Sequence, residues 1–250
     1  MDNKEIIITR QNKTVYRSGN VIVKEHVPEH PKSAVMKEAF NHALAEEAGL
    51  PVPKLLGVNE QDGRWCLLIE NIPGRTLADA MAAEPEKLEA WMALLVDIQS
   101  SIHKTTSKQM VRLKDKLNAQ ISSLRDVLPA TQRYELHLRL ERMKPHTKVI
   151  HGDFNPSNII LGDDGKVYVI DWAHAAIGNA SADAATTYLQ FAMEDKQKAD
   201  LYLKLFCQKN DIAMQYVEQW FPIVAAAHLT KKHGAEKDFL MKWADITEFE

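Results

Sequence analysis

His151-Gly152-Asp153-Phe154-Asn155-Pro156-Ser157-Asn158 stands between two short apolar runs, Lys148-Val149-Ile150 and Ile159-Ile160-Leu161. β-Formers on either side of a mostly polar, turn-forming octet read as strand, stiff loop, strand. Pro156 fixes one backbone angle, so Asp153 and Asn158 are held rather than dangling. Asp171 closes a further run, Val167-Tyr168-Val169-Ile170. The turn formers Asp163-Asp164-Gly165 predict a hairpin that lays this run beside the first.

Three oxygen-bearing side chains, Asp153, Asn158 and Asp171, are thereby expected at one end of a hairpin. Hard oxygen donors of this kind suit magnesium, which keeps several waters and leans on one or two carboxylates plus substrate phosphates. A carboxylate beyond the metal's need is a candidate proton acceptor. Phosphoryl transfer requires this pairing of a metal clamp with a base beside an acceptor hydroxyl. An isolated Asp–Asn pair usually only shapes a loop; the joint spacing sets this stretch apart.

The stretch resembles the catalytic loop of the aminoglycoside phosphotransferase and choline kinase family, small-molecule relatives of the protein kinases. Protein kinases carry H-R-D-x-x-x-x-N and then D-F-G. Here His151-Gly152-Asp153 precedes Asn158, and Ile170-Asp171-Trp172 stands in the D-F-G place. The resemblance implies an α+β, two-lobed protein-kinase-like fold. A small antiparallel-sheet N-lobe would span residues 1–72 and a mostly helical C-lobe residues 73–250, with ATP in the cleft between them. It also implies Asp153 as the base, Asn158 and Asp171 as Mg2+ ligands, and His151 as a scaffold for the loop.

Towards the N-terminus, Ile6–Thr9, Thr14–Arg17 and Val21–Lys24 read as short strands. A lysine ending a strand, such as Lys24, commonly guards an edge; the resemblance makes it the clamp on the α- and β-phosphates. The loop Arg10–Lys13 has no glycine. The glycine-rich phosphate loop of protein kinases is therefore missing, and backbone N–H groups or the side chains of Gln11, Asn12 and Lys13 would serve instead. Pro31–Ala48 reads as a helix ended by Gly49. Glu38 lies beside its apolar stripe, and the resemblance pairs it with Lys24. Lys54–Val58 and Trp65–Ile69 read as two more strands. The run Leu67–Leu77, with Pro73-Gly74, is similar to the family's hinge. Glu70 C=O and Ile72 N–H would then meet the adenine edge, with Ile69 bordering it.

Residues 76–143 and 181–250 carry helical periodicity, and Leu88, Trp91, Met92, Leu95 and Ile98 form one core stripe. His103 is expected to cap its helix or lie on the surface. Gly178-Asn179-Ala180 keeps the family linker's glycine and lacks its acidic residue, while Asp183 is expected to tie a helix start to the catalytic loop. Trp220, Phe221 and Trp243, near Asp245, Glu248 and Glu250, either pack the last helices or hold a cationic acceptor.

The chain has 250 residues and a net charge of −3. That length suffices for one large domain or two lobes. No basic excess points to nucleic acid or an anionic membrane surface. No run is apolar enough to span a bilayer, and the N-terminus lacks a signal-peptide pattern. Cys66 and Cys207, far apart, read as reduced core thiols of a cytoplasmic protein. The expectation is an ATP- and Mg2+-dependent phosphotransferase, monomer or weak dimer. It would act on a hydroxyl of a small molecule, an aminoglycoside-type antibiotic or a metabolite, with a cationic acceptor among the options. The alternatives are a choline/ethanolamine-type kinase and, from another class, an inactive nucleotide-binding pseudokinase module. The absence of an acidic residue in Trp172-Ala173-His174 weighs against choline.

Overall fold

In a computed structural model describing residues 4–231 and 234–245, the chain divides into two compact units. Each is built from two stretches, residues 1–85 with 156–174, and residues 86–155 with 175–250. Residues up to 85 form β1 (Glu5–Arg10), β2 (Lys13–Ser18), β3 (Val21–His26), α1 (Lys32–Glu47), β4 (Leu55–Gln61), β5 (Arg64–Glu70), β6 (Gly74–Thr76) and α2 (Leu77–Ala83). Next come α3 (Leu88–Ile102), α4 (Leu113–Ser123), α5 (Ala130–Arg142) and β7 (Lys148–Ile150). The hairpin of β8 (Ile159–Gly162) and β9 (Val167–Val169) returns to the first unit. The remainder is β10 (Ala176–Gly178), α6 (Ala180–Glu194), α7 (Lys196–Asn210), α8 (Met214–Glu218), α9 (Phe221–His228) and α10 (Gly234–Trp243).

The first unit holds an antiparallel sheet ordered β1-β2-β3-β5-β4. Its turns follow from their residues. β1 and β2 meet at Gln11-Asn12 alone; β4 and β5 meet at Asp62-Gly63, whose φ values of 50° and 73° are those a type I′ hairpin requires. Alternation along β5 sends Leu67 and Ile69 to pack on Val35 and Ala39 of α1, and Cys66 to the other face with Tyr16 and Val23. Burying each such large aliphatic side chain contributes about 1.5–3 kcal/mol. α1 ends in a Schellman motif, with Leu50 N donating to Ala45 O and Gly49 N to Glu46 O. β8 pairs with both β6 and β9 in a second, three-stranded sheet.

The second unit is helical, with Met92, Leu95 and Ile102 of α3 and Tyr202, Leu203 and Phe206 of α7 buried. The expected hairpin forms through the turn at 163–165, between β8 and β9, and the strand before the loop is corrected: β7 pairs with β10, Ile150 opposite Ala176. Cys66 and Cys207 are buried free thiols, and burial pushes Cys207 up to about 11. Among the described residues no helix is long and apolar enough to cross a membrane.

The architecture is therefore α+β, an antiparallel-sheet N-terminal region followed by a mostly helical C-terminal part, as expected of a protein-kinase-like fold.

Candidate active site

Alternation in β3 decides where Lys24 goes. Val23 packs on the face of Cys66, so Lys24, in register with Leu67, faces α1. Its Nζ donates to Glu38 Oε1 at 2.6 Å and to Asp171 Oδ1 at 3.1 Å. Lys24 is 6% exposed and Glu38 7%, so neither is a surface charge. Burial pulls the Lys24 ammonium down, but Asp171 and Glu38 outweigh it and its pKa is raised. Lys24 is thus held as a cation in a sheltered place.

Asp171 follows β9 and precedes a short 3-10 turn, Trp172–His174. Its φ of 66° is left-handed, which costs a non-glycine residue on the order of 1–2 kcal/mol. The surroundings fix it there. Trp172 is fully buried and its Nε1 donates to Val169 O at 2.9 Å. Ile170 N donates to Asn158 O at 2.9 Å across the hairpin. A second cation also reaches Asp171: Lys13 Nζ lies 3.7 Å from Oδ2.

For a cation, this end of the hairpin offers one carboxylate, Asp171, and one amide, Asn158. Among the described residues no group of three or more His, Cys, Asp and Glu could hold a metal. Such a donor set fits magnesium, which fills its shell with water and phosphate oxygens, better than zinc.

The catalytic-loop stretch up to Asn155 belongs to the second unit. Its hub is Asp183, 1% exposed in the first turn of α6. Asp183 Oδ1 accepts from Gly152 N at 2.7 Å, and Oδ2 accepts from Gln99 Nε2 at 3.1 Å and from His151 N at 3.4 Å. His103 Nε2 lies 2.9 Å from Oδ2. Burial pushes the Asp183 carboxyl up, but His103 and Gly152 outweigh it and hold it below the usual range. Gly152 has φ 76°, a conformation that a side chain would strain. Its N–H is thereby free to meet Asp183.

One face of α6 continues the clamp. Four residues after Asp183, Thr187 Oγ1 donates to Phe154 O at 2.8 Å. Three further on, Gln190 Nε2 donates to Asp153 Oδ1. Spacing of i, i+4, i+7 places all three on one stripe. His151 is fully buried, edge-on to Phe154.

The structure thus joins Lys24, Glu38 and Asp171 directly and sets Asn158 beside Asp171. Asp153 belongs to the second unit, whereas Asn158 and Asp171 lie in the first. Ile69 is buried in β5 opposite Ile22, Glu70 ends the strand, and Ile72 follows it. His103 caps the end of α3 and, at 3% exposed against Asp183, does not lie on the surface. Asn179, in the linker that lacks the family's acidic residue, caps α6 by accepting from Ser181 N at 2.9 Å. Phe221 stacks on Tyr188 at 4.5 Å and meets Trp243 edge-on. Trp220 and Phe221 are buried, which favours packing over an acceptor site; Glu248 and Glu250 lie outside the described residues. Sequence reasoning missed Gln190 and Thr187, whose signal was the polar stripe from Asp183. It also missed Gln99, which carried no local signal.

The sequence model of the phosphotransferase enzyme family matches residues 5–209. No curated protein matches the sequence. The chain is similar in structure to aminoglycoside phosphotransferase APH(4)-Ia, solved as a ternary complex with ADP and hygromycin B. That similarity has a TM-score of 0.74 at 15% identity, over 97% of this chain and 92% of the other. An aminoglycoside-3'-phosphotransferase of type VIII gives 0.65 at 18% identity, over 91% and 94%. Choline kinase LicA from Streptococcus pneumoniae gives 0.62 at 14% identity, over 96% and 92%. Matched across most of its length, with the loop and hairpin motifs in place, the chain belongs to the phosphotransferase enzyme family.

Proposed function

We propose that this protein transfers the γ-phosphoryl group of ATP to a hydroxyl of a small molecule, with Mg2+ as the metal. The observation that carries the reading is Lys24, sheltered and charged, joined to both Glu38 and Asp171. Residues 1–72 would hold the nucleotide, with Ile69 bordering the adenine and Glu70 C=O and Ile72 N–H on its edge. Residues 73–250 would carry the catalytic loop and bind the acceptor. Asn158 and Asp171 would hold the magnesium ion, which when bound supplies charge neutralisation on the phosphates. Lys24 holds phosphate oxygens. Asp153, oriented by Gln190, takes the proton as the acceptor oxygen bonds to phosphorus and the bond to the bridging oxygen of ADP breaks. Little proton transfer is needed early in a loose transition state, so positioning and charge do most of the work.

The acceptor is proposed as an aminoglycoside-type antibiotic or a metabolite, free or weakly dimeric enzyme working in the cytoplasm. ATP consumption by purified protein with magnesium, across aminoglycosides, choline, ethanolamine and neutral polyols, tests this reading. Turnover on choline alone would replace the acceptor class. No consumption with any alcohol would leave a nucleotide-binding module without catalysis.

Two variants test the roles. Lys24→Met should lower turnover by on the order of 10²-fold, since a charge-assisted phosphate contact in a sheltered place is lost; a wild-type rate would return Lys24 to strand packing. Asp153→Asn should leave ATP affinity by calorimetry unchanged while turnover falls by roughly 10²-fold. Collapse of ATP binding alongside turnover would make Asp153 a scaffold or metal residue instead.

A further inference from the structure

Lys13 is a charged residue in contact with Asp171 to which the catalytic-loop and hairpin motifs assign no role. It opens β2 immediately after the two-residue turn Gln11-Asn12, which is too short to fold over a triphosphate and has no glycine. Strand register explains its direction. Lys13 lies opposite His26, two residues along β3 from Lys24, and Val15 lies opposite Lys24. Side chains two apart share a face, so Lys13, Lys24 and His26 all stand on the α1 side of the sheet.

The Lys13 side chain is 13% exposed, against 56% for Lys4 and 74% for Lys166. A lysine that only decorated a sheet would keep its ammonium in water. Its neighbour His26 adds no positive charge, because burial chiefly, and then His30, lowers it to about 4. Asp171 therefore meets one ammonium at each oxygen, Lys24 at Oδ1 and Lys13 at Oδ2.

Resting on the reading above, we infer that Lys13 is a movable second phosphate clamp, standing in for the absent glycine-rich loop. Lys13 and a divalent cation would compete for the same carboxylate oxygen. A nucleotide resolves the competition, because its phosphates offer Lys13 an alternative anion while Asp171 turns to the metal. Lys24 is anchored by Glu38 of α1 at 2.6 Å, whereas the ion pair that holds Lys13 among the described residues is the longer one to Asp171, at 3.7 Å.

The test uses the full chain and titration calorimetry, with Mn2+ alone as one probe and Mg·ATP as the other. Lys13→Met is expected to weaken Mg·ATP binding on the order of 10-fold and to tighten Mn2+ binding several-fold, because its competitor is gone. Lys13→Arg should restore most of the nucleotide affinity, and Lys13→Gln should match Lys13→Met, which separates loss of charge from damage to the fold. Unchanged Mg·ATP affinity in both neutral variants would overturn the clamp. Weakened Mg·ATP binding with unchanged Mn2+ binding would overturn the competition. If the wild-type chain binds no Mg·ATP, the phosphotransferase reading itself fails, an outcome separate from either.

Discussion

Asp171→Asn is expected to lower turnover by on the order of 10³-fold or more and to remove the magnesium dependence of ATP binding. The reason is charge rather than shape. Asp171 sits at φ 66°, and asparagine tolerates the left-handed region as readily as aspartate. The backbone and the hairpin should therefore survive. What changes is that Lys24 and Lys13 lose the carboxylate lying 3.1 and 3.7 Å away. The amide that replaces it keeps an oxygen but removes the one negative charge this hairpin end offers a cation. Calorimetry of ATP with and without magnesium, beside a thermal melt, checks this. Full activity in a folded Asp171→Asn protein would remove the metal assignment.

Asp183→Ala is expected to cost about 3–5 kcal/mol of stability, because several buried donors lose their acceptor at roughly 1–3 kcal/mol each. The change leaves Gly152 N and His151 N without their acceptor, and strips His103 and Gln99 of a shared partner. Chemical denaturation measures it; a loss under about 1 kcal/mol would show that water replaces the carboxylate freely. The same residue gives a pH dependence with a defined sign. Its folded carboxyl is held below the usual range. Its contribution is therefore complete above the unfolded value near 3.9, and is lost as pH falls below that value through the folded one. Asp183→Asn should flatten this part of the acid limb.

The sheet, α1 and the catalytic stretch were legible because each carries a local pattern: alternation around Lys24, a helical stripe beside Glu38, turn formers between β8 and β9. The pairing of β7 was not. Ala176-Ile177-Gly178 is three residues long and poor in β-formers, so only its position opposite Lys148–Ile150 makes it a strand. His103 and Gln99 escaped for a different reason. Both reach Asp183 across 80 or more residues of sequence, and periodicity reports a buried face without saying which carboxylate waits on it. Lys13 was noticed only as part of a glycine-free loop, since its contact with Asp171 depends on the register of β2 against β3.

The first unit is assembled from two stretches, with the hairpin 156–174 supplied long after Pro85. This has a meaning for the order in which a growing chain can organise itself. When the five-stranded sheet has left the ribosome, β6 still lacks β8, and Lys24 still lacks Asp171. Residues 86–155 must be synthesised before either partner exists, and closing that long intervening loop carries an entropic penalty that rises only logarithmically with its length. The nascent N-terminal piece is thus a half-built template, with its buried lysine answered only by Glu38. It is completed by tertiary contacts of long sequence separation, which form late and slow the folding of the unit as a whole.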